Sequence, residues 1–164
     1  MGWGRFEIIY QHQYWRLLTG ILVHANLWHW LMNVGALLLI AAIFGKQLSL
    51  KHWGIISLIM TLIANGLLLL QVQTRFYVGL SGLLHGLLVY VALHQFTRAK
   101  LESSLILTAI ALKIYLEFIF PQGLGDQQLI SVPVATIVHR YFCFTAIICF
   151  IIFTKIIKRY EWID

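Results

Sequence analysis

Charge is scarce in this sequence: Asp, Glu, Lys and Arg together make up 11% of 164 residues, where soluble domains carry about 25%. That scarcity excludes a soluble globular domain. With 60% hydrophobic and 14% aromatic residues and a mean hydropathy of +0.83, the chain is also too apolar for intrinsic disorder. Acidic residues are scarcest, six against twelve Lys and Arg. The resulting charge of +6 does not mark a nucleic-acid binder, because the cations fall between apolar runs and not along one helix face. Alternation of polar and apolar residues is missing from the long runs, which excludes a membrane β-barrel. Cysteine is limited to Cys143 and Cys149, which form neither a CxxC pair nor a metal-ligand spacing and are expected to be inert packing residues. Residues 1–26 lack a continuous apolar region and a small-residue cleavage site, so no signal peptide is expected there.

What remains is an all-α, polytopic membrane bundle. A spanning helix needs roughly 20 apolar residues, and polar punctuation divides the chain into five candidate spans, at about 27–45, 53–71, 79–96, 101–120 and 132–157. They form one membrane domain covering 1–164, with 1–26 as an external loop segment and 121–131 as a loop. Lys46, Lys51, Arg98, Lys100, Lys155, Lys158 and Arg159 sort to one side; Arg5, Arg16 and Arg75 sort to the other, and Lys113 and Arg140 lie within spans. By the positive-inside rule the C-terminus is expected in the cytoplasm. The third run is short and opens with Gly79-Leu80-Ser81-Gly82, which predicts a helix starting below the membrane surface beside a polar cavity.

Three polar features interrupt the apolar runs. Ser81 sits at a helix start between residues without side chains, which leaves its hydroxyl accessible; alone, such a serine is more often a helix-contact residue. His139 is an ionisable group inside the last span, where such groups are costly and functional by default. Its imidazole can act as general base toward Ser81. His29 and Asn33, one turn apart on one face of the first span, can both donate to a developing oxyanion, although Asn33 serves equally as interhelical glue and His24 and His29 as interfacial residues. Gly82 and Gly86 form a GxxxG pair that permits close helix approach. Lys113 and Glu117, also one turn apart, are expected to neutralise each other as a structural ion pair, with a role at the substrate tail as the alternative.

HANLWHWLMN, GLSGLLHG and the late-span histidine together resemble the rhomboid intramembrane serine proteases in order, spacing and helix position, from about Trp15 to Lys155. Trp15-Arg16 is similar to the Trp-Arg pair of the rhomboid first loop. The resemblance implies Ser81 as nucleophile and His139 as base, a dyad without an aspartate. It further implies an oxyanion hole of His29, Asn33 and the Ser81 N–H, with His24, Gly79, Gly82, His85 and Gly86 lining or supporting the cavity. His85 is expected to stack on the base, with a structural role or a role as alternative base left open. Neither metal nor organic cofactor is implied. The partners are transmembrane protein substrates in a lipid bilayer.

GLSGLLHG and the Lys113/Glu117 pair further resemble the rhombosortase subgroup, which implies processing of tail anchors with a C-terminal Gly-Gly motif at the bacterial inner membrane. Two features depart from the family pattern. A span usually precedes the Trp-Arg loop, and here only about fourteen residues do, so a six-span core is expected to lack its first helix. Phe142 stands three residues after His139, where the family has a small residue, and is expected to wedge helices apart. Arg140 beside the base is also unusual. These departures keep a rival reading open, a catalytically inactive rhomboid-like binder of membrane helices. A transporter or metal site built on His24, His29, His85 and His139 lacks a recognised spacing.

Overall fold

A computed structural model describes residues 2–120 and 135–160, with side chains to residue 154. The expected loop at 121–131, the first residues of the last expected span and the side chains of Lys155, Lys158 and Arg159 lie outside the described residues. Five long helices run in chain order: α3 (Leu27–Phe44), α4 (Leu50–Leu68), α5 (Ser81–Gln95), α6 (Lys100–Ile119) and α7 (Thr136–Tyr160). Side-chain caps start two of them. Asn26 accepts the His29 N–H at 2.9 Å ahead of α3, and Ser49 accepts the His52 N–H at 3.2 Å ahead of α4.

Helix α5 is the hub, touching α3, α4, α6 and α7. Ten of its 15 residues are buried, against four of 18 in α3. Each outer helix turns a narrow stripe inward at helical spacing: His29, Asn33, Ile40 and Phe44 from α3; Ser103, Ile110 and Glu117 from α6; Val138, Phe142, Ala146 and Cys149 from α7. The remaining faces expose Leu38, Leu39, Ile43, Leu105, Leu112 and Ile151, as expected where lipid is the solvent.

Helix α3 with its terminal turn, α4 and α7 are long and apolar enough to cross a membrane. The other two expected spans match helices that fall short on those measures, for different reasons. Helix α5 has only 15 residues, and its neighbours sheathe it. Helix α6 carries Lys100, Glu102, Lys113 and Glu117, of which Glu117 is turned into the protein.

The segment expected as a plain external loop is folded. Strand β1 (Trp3–Gly4) pairs antiparallel with β2 (Phe76–Tyr77), Trp3 opposite Tyr77, and short helices α1 (Arg5–Ile9) and α2 (Arg16–Thr19) follow β1. Trp3 and Ile8 are fully buried. Arg5 Nε donates to the Leu69 carbonyl at 2.9 Å, and Arg16 Nη1 donates to the Gly2 carbonyl at 2.7 Å. Asn65, fully buried in α4, donates to the Leu17 carbonyl at 2.6 Å and accepts from the Tyr77 hydroxyl. This cap fixes the loop that leads into Ser81.

Candidate active site

Ser81 is the first residue of α5, and its Oγ lies 2.9 Å from Nε2 of His139 on α7. Glycines make that approach possible. A Cβ at Gly82 would fall 2.7 Å from both Phe142 Cδ2 and Val138 Cγ1, and one at Gly86 would fall 3.1 Å from the Phe142 carbonyl oxygen. Phe142 therefore does not act as the expected wedge. It is fully buried in the space that the two glycines leave open: the small residues this contact needs stand on α5, not at position 142.

The turn before Ser81 has a second close approach. Gly79 holds a left-handed φ of +105°, and a Cβ there would overlap His29 Nε2 and lie 3.4 Å from Asn33 Nδ2. The Ala25 N–H donates to His29 Nδ1 at 3.4 Å, which leaves the ring proton on Nε2, directed at this turn. Asn33 Nδ2 is buried without a protein hydrogen-bond partner, and first-turn N–H groups of a helix have no intrahelical acceptor. A cavity of about 370 Å³ joins these groups. Ser81, His139, His29, Asn33, His85 and Lys113 line it, and Met32, Ala36, Ile40, Phe44 and Leu88 extend it as an apolar trough between α3 and α5.

His85 lies flat on His139, with ring centroids 4.2 Å apart and planes at 17°, and its Nδ1 is 2.7 Å from the Ser81 carbonyl oxygen. His24 is not on the cavity wall. It packs edge-on against His29 at 5.1 Å and bonds the Leu22 carbonyl at 3.0 Å. Burial holds the His24 imidazole below its ordinary pKa, and the bond to Leu22 pulls the other way. The Arg140 guanidinium stacks over the Phe118 ring at 5.7 Å and does not turn toward the base.

Glu117 is what sequence reasoning underrated. The ion pair with Lys113 is present at 2.8 Å, but the same carboxylate also accepts from His139 Nδ1, at 2.9 Å to Oε1 and 3.0 Å to Oε2. Glu117 is 4% exposed and His139 3%. The available signal was the carboxylate itself, since an acid inside a membrane bundle is functional by default; Lys113 four residues away supplied a sufficient local explanation and hid it.

Among the described residues, His85, Glu117 and His139 bring ligand atoms within 4.8 Å of one another. They are poorly disposed to hold a metal. Both His139 nitrogens are engaged, and the lone pairs of two stacked imidazoles lie in nearly parallel planes and do not converge on one point.

A membrane bundle of five long helices with a serine and a histidine in hydrogen-bond contact beside a cavity defines the class of protein. Residues 11–139 match the Rhomboid domain family, and the chain belongs to it. An 81-residue stretch, 49% of the chain, is 37% identical to RHOMBOID-like protein 2 of Arabidopsis thaliana and spans 26% of that protein. No solved structure gives a significant match.

Proposed function

We propose that this chain is a serine-type intramembrane endopeptidase. The observation that carries the reading is the 2.9 Å contact of Ser81 Oγ with His139 Nε2 at the wall of a cavity that also holds Asn33 and His29. Ser81 Oγ attacks a substrate carbonyl as His139 Nε2 takes its proton. The oxyanion is held by Asn33 Nδ2, His29 Nε2–H and the Ser81 N–H. Collapse breaks the C–N bond, and His139 passes the proton to the departing amine. Water, activated by the same imidazole, releases the acyl group from Ser81.

The apolar trough between α3 and α5 suits a transmembrane substrate segment, and the rhomboid family acts on such substrates. GLSGLLHG and the Lys113/Glu117 pair support the finer reading, a rhombosortase-type enzyme of the bacterial inner membrane that processes C-terminal Gly-Gly tail anchors, with its own C-terminus cytoplasmic. The inactive-binder reading rested partly on Phe142 as a wedge, and that support is gone.

Labelling of the detergent-solubilised chain with a fluorophosphonate tests the reading without a known substrate. Wild type is expected to label, and Ser81→Ala and His139→Ala to lose labelling. A folded wild-type chain that does not label overturns the proposal in favour of the binder.

A further inference from the structure

We propose that Glu117 is a positioning residue for this site, so that Ser81, His139 and Glu117 work as a relay and Lys113 balances the carboxylate. The proposal rests on the Ser81–His139 chemistry above and adds a third member to a site that the resemblance implies only as a dyad without an aspartate.

An ionised carboxylate only accepts hydrogen bonds, so with both oxygens of Glu117 within 3.0 Å of His139 Nδ1, the imidazole proton stands on Nδ1. Nε2 is then bare and faces Ser81 Oγ at 2.9 Å, the arrangement needed to accept the serine proton. Without that hold either nitrogen can carry the proton, and one with the proton on Nε2 cannot serve as base. When His139 becomes an imidazolium during acyl transfer, the same carboxylate faces the new charge in a setting with little water to screen it.

The geometry is fixed from several sides. Glu117 stands on the buried stripe of α6 below Ile110 and Ser103, and Lys113 Nζ reaches Oε1 at 2.8 Å from the preceding turn. His85 covers one face of the His139 ring, so the imidazole is held at both nitrogens and across its plane. Lys113 keeps contact with the cavity, its side chain 43% exposed, whereas Glu117 is enclosed. The ammonium is therefore accessible to whatever occupies the trough, and the carboxylate is reserved for the base.

A purely structural ion pair predicts something different. Replacing both members of such a pair with neutral residues of similar size is often harmless, so Lys113→Met combined with Glu117→Gln would restore a working site. The experiment compares wild type, E117Q and the K113M/E117Q double variant as full chains in detergent, by fluorophosphonate labelling rate and by 15N NMR of the His139 tautomer.

Labelling of E117Q is expected to fall about 10²–10⁴-fold, by analogy with loss of the acid from a hydrolase triad. The double variant is expected to stay as slow as E117Q while melting like wild type, and in both variants part of the His139 population carries its proton on Nε2. If E117Q does not fold, the double variant, which buries neither charge, supplies the comparison. A double variant that labels at the wild-type rate with an unchanged tautomer overturns the proposal. Should wild type itself fail to label, the protease reading falls, and the tautomer alone decides: a shift on loss of Glu117 upholds its hold on His139, and no shift refutes it.

Discussion

Helices α3 and α7 both contribute polar groups to the site, yet they meet α5 in opposite ways. Helix α7 lies against Gly82 and Gly86 with Phe142 filling the joint, and His139 is fixed by Ser81, Glu117 and His85. Helix α3 buries only four residues, borders the site cavity on one side, and borders a second apolar cavity of about 460 Å³, shared with α4, on the other. The proposed nucleophile and base, Ser81 and His139, therefore sit on a close-packed joint, and the side chains proposed to hold the oxyanion, His29 and Asn33, sit on a helix with space around it. This division suits the proposed protease, which keeps two reacting atoms in register while admitting something as bulky as a helix.

The difference between the two helices is lost most completely at the α5–α7 joint. Gly82→Val drives its side chain into Phe142 and Val138, an overpacking expected to cost about 1–3 kcal/mol of stability and to reduce fluorophosphonate labelling at least about 100-fold. Adding Phe142→Ala recovers part of both losses, measured by melting and by labelling rate. On the loose side, Asn33→Ala is expected to slow turnover by about 10²–10³-fold with no fall in melting temperature, because Nδ2 has no protein partner to lose. Ala36→Leu fills part of the trough. It should raise KM for a helical substrate with little change in kcat and leave labelling by the small probe near the wild-type rate.

The smallest effect is expected at the rim. Burial lowers the His24 pKa in the folded chain, so below about pH 6.5 the unfolded chain takes up the proton more readily and stability falls as pH drops. Melting temperature should drift downward from about pH 7 to about pH 5, and His24→Gln should remove part of that drift.

The long helices were legible because lipid demands apolar length, and each expected run contains a helix within a few residues of its bounds. Ser81, His139, His29 and Asn33 were legible because polar groups are conspicuous in apolar runs. The folded cap was not: its buried residues, Trp3, Ile8 and Ile21, are spread over short elements whose partners lie some 45–75 residues away, as Asn65–Leu17 and Trp3–Tyr77 illustrate. The Lys113–Glu117 ion pair was legible because the two stand one turn apart, whereas the contact of Glu117 with His139, 22 residues on, was not. The fit of Phe142 was not legible, because the room for it is made by two glycines on another helix.

That reciprocity between Gly82 and Phe142 also constrains how the chain can change over generations. A side chain added first at position 82 meets a filled joint and is lost with the proposed activity, which it would block. A smaller residue arriving first at 142 leaves a void, a stability loss of about 3–5 kcal/mol at most, but keeps Ser81 facing His139, and a later change at position 82 can then fill it. The two positions form a path open in one order and closed in the other, so variants with a bulkier residue at 82 should be reached only through backgrounds already reduced at 142.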